Sequence, residues 1–135
     1  MKKLIVLSLI ATLWGATVSM KIEAPKKHEH EKPYMIVGQM PRFPGGKPAM
    51  QRFIRDSLSY PFEALKHNIQ GKVNVEFVVD KDGTLTDIRT MGQKLGYGLE
   101  EQAIKLFTKM PKWSPGKQDG IVVPVYMMIP ILFTI

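Results

Sequence analysis

The chain of 135 residues has no cysteine. Disulfide scaffolding, thiol catalysis and thiolate metal sites are therefore excluded at the outset. Histidine is nearly as scarce. His28 and His30 sit in a polar stretch near the N-terminus, and only His67 falls in the part that reads as folded, where a lone histidine reads as a surface residue. There is no G-x-x-x-x-G-K-[ST] phosphate loop, so Gly45-Gly46 before a helical pattern reads as turn geometry. No nucleophile–base constellation is visible. These absences argue against an enzyme and leave no cofactor to expect.

Two groups of carboxylates still call for a decision. His28 to Glu31 alternates two imidazoles with two carboxylates. Its ligands would all be local and flexible with nothing to fix their geometry, so a solvated tail is expected rather than a metal site. Asp80-Lys81-Asp82-Gly83 lies between two runs that read as strands. A calcium loop counted from Asp80 would need glutamate at its twelfth position, where Met91 stands. Asp-Gly is a strong hairpin signal, and a turn is expected.

What is present begins with Lys2 and Lys3 and an uncharged stretch from Leu4 to Met20. This is the layout of a secretory signal peptide, and it also touches the lower limit for a membrane helix. Cleavage after Ser19 and a retained anchor both remain open, and both carry the rest of the chain across a membrane. Cleavage removes Lys2 and Lys3 and no acid, taking the formal charge from +7 to +5. Export argues against nucleic acid as a partner and leaves the basic balance as a solvated surface. Residues 21–40 are mostly Lys, Glu, His and Pro in their first half and read as a disordered tether, with a reach of at most about 70 Å. The domain is expected over 41–135.

Within it, Met50, Phe53, Ile54 and Leu58 mark one helical face, with Pro48 suited to the first turn. Tyr60-Pro61 ends that helix, and a short helical turn with Ala64 and Leu65 closes at Gly71. Val73, Val75, Phe77 and Val79 alternate with Asn74, Glu76 and Val78, as in a strand. Leu85 and Ile88 in the next strand are three apart, which breaks the alternation and predicts a bulge or strong twist. Leu99, Ala103, Leu106, Phe107 and Met110 define a second amphipathic helix, with Glu100 and Glu101 near its start suiting the dipole. Residues 112–120 read as a long turn around Trp113, itself at a core edge.

The C-terminus, Ile121 to Ile135, is one apolar run carrying Pro124 and Pro130. It reads as a single extended edge strand, because proline supplies no ladder donor. The two prolines are six apart, so both missing donors point to the same side. Odd residues are left to pair with the sheet, and the outer edge carries Tyr126, Met128, Leu132 and Thr134. A merely protected edge and a docking edge for another strand both fit. The element order gives an α+β, two-layer fold: a three-stranded antiparallel-type sheet with two helices packed on one face. The first strand is expected in the middle and the last at one edge.

Taken in order, several segments resemble the TonB C-terminal domain family over about residues 41–135. They are Tyr60-Pro61 with Ala64, Gly71-x-Val73-x-Val75-x-Phe77-x-Val79, Asp82-Gly83, Ala103, Trp113-x-Pro115-Gly116-Lys117 and the closing apolar strand. The lead-in Phe43 to Gly46 is similar to a variant of the same family. The resemblance implies a non-enzymatic periplasmic domain that takes up a short segment of an outer-membrane transporter by strand addition to the last strand. Val125, Tyr126, Met127, Met128, Ile129, Ile131 and Leu132 would carry the pairing. Ser57, Ser59, Tyr60 and Pro61 would lie near the transporter. Inner-membrane motor proteins are implied as partners if the anchor is retained. The short tether departs from the long proline-rich spacer of full family members. A soluble or self-associating periplasmic adaptor, including a homodimer, is the alternative.

Overall fold

The computed structural model describes residues 31–135. The leader or anchor expected at 1–20, His28 and His30, and the first half of the tether lie outside the described residues. Among the described residues, no helix is long and apolar enough to cross a membrane. The elements follow in the order α1 (Gly46–Ser57), α2 (Phe62–Lys66), β1 (Gly71–Val79), β2 (Leu85–Met91), α3 (Leu99–Thr108), β3 (Gly116–Gln118), β4 (Ile121–Val123) and β5 (Val125–Phe133). The sheet runs β2-β1-β5, with β1 in the middle and antiparallel to both neighbours, as the element order implied.

Each helix starts where the backbone can turn. Gly45 and Gly46 take φ of 82° and 78°, and the Gly46 amide donates to the Phe43 carbonyl at 2.8 Å. Glycine adopts this left-handed region without the Cβ penalty. Pro48 falls in the first turn of α1, where its missing amide costs nothing. Met50, Phe53, Ile54 and Leu58 all pack on the core from that helix. The α3 residues Leu99, Ala103, Leu106 and Phe107 are buried, facing Val73, Val75, Phe77 and Val79 of β1. Phe77 packs against Phe107 at 5.0 Å and edge-on to Trp113 at 5.4 Å between ring centroids. Burial of each such side chain stabilises the fold by about 1.5–3 kcal/mol.

Glu100, expected only to suit the α3 dipole, is buried. Its carboxylate accepts hydrogen bonds from the amides of Leu95 and Gly96, closing the glycine-rich loop onto the helix. In β2 the break in alternation is a shift of register. Glu76 faces Arg89 and Val78 faces Thr86, so β2 holds one residue more than β1 across the gap, and Asp87 adopts φ of 50°. The extra residue turns both Leu85 and Ile88 onto the core.

The C-terminal run is not one strand. It divides at Pro124 into β4, which pairs with β3 as a separate hairpin, and β5, which pairs with β1. The reason is geometric. β1 ends at Val79 opposite Val125, so residues before Val125 have no partner in that sheet. Gly116 to Gln118, read from sequence as turn, supply one instead. Residues 31–43 also lie against the domain. Val37 is buried with Val123 and Val125, Gln39 bridges Lys117, and Arg42 bridges Ser114.

The Asp80–Gly83 segment is a turn. The Gly83 amide donates to the Asp80 carbonyl at 2.9 Å, and the Asp82 carboxylate accepts from the Thr84 amide at 2.9 Å. Gly83 has φ of 85°, and a Cβ there would stand 2.0 Å from the Trp113 carbonyl oxygen. Gly96 has φ of 78° with nothing within 4 Å of such a Cβ. Alanine at either position carries a left-handed strain of about 1–2 kcal/mol. Gly83→Ala adds a backbone collision, so it should lower unfolding free energy in urea clearly more than Gly96→Ala. Equal losses would contradict the packing described for Trp113.

Candidate strand-docking edge

The site is built on β5. Its register with β1 is continuous from Val125 opposite Val79 to Phe133 opposite Gly71. In such a ladder the backbone groups of alternate residues point to opposite sides. Two observations fix which ones point out. The Tyr126 amide donates to the Tyr34 carbonyl at 2.8 Å on the side away from β1, whereas the Ile135 amide turns back to Gln70 Oε1 at 2.9 Å. Even-numbered residues therefore carry the outer edge. Pro130 leaves a gap in it, and the amides and carbonyls of Met128 and Leu132 face outward.

The sequence-selected residues divide accordingly. Tyr126, Met128 and Leu132 lie on the outward series, and Met128 and Leu132 are 55% and 65% exposed. Val125 and Ile131 are fully buried and register with β1, so they hold the strand rather than offer groups to a partner. Met127 and Ile129 are half-buried on the helix side. There they line a groove of about 390 Å³ with Phe43, Met50 and Trp113. The second patch reaches the edge through one residue. The Tyr60 ring packs edge-on to Phe133 at 5.6 Å, its hydroxyl donates to the Ile69 carbonyl, and it shares a groove of about 400 Å³ with Ile54, Leu58, Leu132 and Thr134. Pro61 turns the other way, toward Gly98. Ser57 is half-buried at the end of α1 and Ser59 is exposed.

Sequence reasoning missed two features. One is Tyr34, which opens a short apolar run, Tyr34 to Val37, that the tether reading of residues 21–40 passed over. The other is the polar centre on the sheet face opposite the helices. Glu76 there is 1% exposed, and its Oε2 accepts from Arg89 Nε at 2.9 Å. A buried carboxylate requires such a partner. The Tyr126 hydroxyl beside it is the largest influence holding the Glu76 carboxyl below its usual range, partly opposed by burial and reinforced by Arg89. In return, Glu76 raises the Tyr126 hydroxyl. Oε1 has no direct hydrogen-bond partner among the described residues, so Tyr126 acts as a nearby dipole rather than a fixed ligand. The alternation of β1 placed Glu76 on this face, but its burial comes from β2 and β5 together. Among the described residues no group of three His, Asp or Glu is placed to hold a metal ion.

These features define a class: a small α+β domain with one partly unpaired, proline-interrupted strand edge, bordered by two mainly apolar grooves that α1 helps to line. The family model for the Gram-negative bacterial TonB protein C-terminal matches residues 56–135, and the chain belongs to that family. Domains of this family are non-enzymatic and serve energy transduction and protein interaction. Two solution structures of the Helicobacter pylori TonB C-terminal domain are similar to this chain. The first has 24% identity and a TM-score of 0.48, covering 64% of this chain and 77% of that one. The second has 25% identity and a TM-score of 0.45, covering 64% and 90%. No curated protein matches the chain.

The lowered Glu76 carboxyl has a consequence for pH. A group with a depressed folded-state pKa contributes stability above its unfolded pKa and loses it as pH falls through the folded one. Glu76→Gln should therefore be less stable than the parent at neutral pH, with the gap narrowing as pH drops below the ordinary glutamate range. Chemical denaturation across that range checks this. A gap independent of pH would show that the centre is not held by charge.

Proposed function

We propose that this domain works in the periplasm, binding segments of outer-membrane TonB-dependent transporters by adding them as a strand to the outer edge of β5, in support of TonB-dependent transport. The observation that carries this reading is the outward series of β5, whose Met128 and Leu132 amides face away from β1. Main-chain hydrogen bonds supply affinity in strand addition, and pockets for alternate side chains supply selectivity. An added strand would send alternate side chains toward the Met127–Ile129 groove and the Tyr60–Leu132 groove. Both are mainly apolar, with Arg42, Lys47 and Arg55 among their lining residues. The occupant is therefore an extended, apolar-alternating segment that tolerates acidic residues.

Self-association through the same edge is the second reading. It is favoured by Met128, Leu132 and Ile135, which expose apolar side chains along β5 and just beyond its end. Light scattering with and without a transporter peptide separates the two, since a peptide that takes the edge would dissolve a dimer built on it.

Met128→Pro removes one of the outward donors without touching the β1 ladder. It should weaken binding of a transporter peptide by about fivefold, the equivalent of one net hydrogen bond of about 1 kcal/mol, while thermal unfolding stays close to that of the parent. Calorimetric titration of both proteins decides it. Equal affinity would remove the edge from the account.

A further inference from the structure

The outer edge of β5 is not wholly free in this chain, because its own N-terminal segment takes the first rung. The Tyr34 amide donates to the Pro124 carbonyl at 2.9 Å and the Tyr34 carbonyl accepts from the Tyr126 amide at 2.8 Å, a parallel bridge opposite Val125. This is the backbone chemistry an incoming strand would use. We infer that residues 31–36 are a detachable strap that occupies the start of the docking edge and competes with a transporter segment for it. The inference rests on the strand-addition reading above.

The strap differs in its fastening from the chain that follows. Residues 37–42 are held by the buried Val37, by paired backbone bonds from Gln39 to Lys117 and from Arg42 to Ser114, and by the Gly38 amide on Gln118 Oε1 at 2.9 Å. Residues 31–36 have the two Tyr34 bonds and an ion pair between Glu31 and Lys81 at 2.5 Å, with both side chains about half exposed. Exposed pairs of this kind contribute little and are screened by salt. Tyr34 itself is 39% exposed, and Met35 and Ile36 are 68% and 84% exposed, so little apolar burial holds the strap down. The hinge falls at the bend over Met35 and Ile36, immediately before Val37. While the strap is seated, a partner can use only the edge from the Tyr126 carbonyl to Leu132. Once it lifts, the Tyr126 amide and the Pro124 carbonyl are added.

The experiment uses the full chain and two variants, Tyr34→Pro and Glu31→Lys, neither of which touches the core. The probe is a synthetic peptide carrying the N-terminal periplasmic segment of a TonB-dependent transporter from the same organism. In the free parent, the Tyr126 amide should resist hydrogen exchange while those of Met128 and Leu132 exchange fast. In Tyr34→Pro, Tyr126 should lose protection. If the strap is closed in about nine molecules of ten, peptide affinity rises by about tenfold on its release. Glu31→Lys should move both readouts in the same direction by less, and added salt should shrink the difference between Glu31→Lys and the parent. Fast exchange at Tyr126 in the parent, or equal peptide affinity for parent and Tyr34→Pro, overturns the strap. Failure of both proteins to bind the peptide, with Tyr126 still protected, overturns the docking reading and this inference with it.

Discussion

The ladder between β1 and β5 is the constraint on which the rest of the structure depends. β1 is buried on the helix side by Val73, Val75, Phe77 and Val79, and along its central stretch it is covered on the other side as well. Its one remaining free flank can be satisfied only by a strand of matching length, and β5 registers with it residue for residue over nine positions. That pairing uses the odd-numbered backbone groups of β5. It leaves the even-numbered ones facing outward, where a missing proline donor does no harm to the sheet. The same alternation that completes the core thus creates the open edge. Stability and the proposed binding use opposite sides of one strand.

The edge is managed at both ends. At its start, the chain's own Tyr34 closes the first rung. At its far end, Tyr60 packs on Phe133 and forms a groove with α1. Between them, Pro130 interrupts the donors. An exposed strand edge invites indiscriminate pairing, and an interrupted, partly covered edge restricts it to partners that tolerate the gap. On the face opposite the helices, the Glu76–Arg89 pair ties β1 to β2 beside Tyr126 of β5.

Much of this was legible in the residues. The period of two in Val73–Val79 and the helical spacing of Leu99–Phe107 gave the layers, because both patterns follow from burying one face. The Leu85–Ile88 spacing gave the bulge, and the six-residue separation of Pro124 and Pro130 gave the outward series of β5. The placement of Asp82-Gly83 between two apolar runs gave the turn. What was not legible depended on partners distant in sequence. Pro124 looked like a blunting residue within one strand. It divides two strands because β1 stops at Val79, a fact about another element. Residues 116–118 carry no apolar alternation and became a strand only because β4 needed a neighbour. Tyr34 opens a run of only four apolar residues, too short to read as a strand, and gains its role from a carbonyl ninety positions away. Val125 and Ile131 were grouped with the docking residues by their position in the last strand, as the family resemblance implied. Their burial follows from parity against β1.

The central claim is that a transporter segment joins the outer edge of β5. Backbone amide shifts and hydrogen-exchange protection along β5, recorded while such a peptide is titrated into the full chain, test it most directly. The account predicts that the Met128 and Leu132 amides gain protection and shift most. The amides of Met127, Ile129 and Ile131, already engaged with β1, should keep the protection they have. Protection gained elsewhere, with Met128 and Leu132 unchanged, would contradict it.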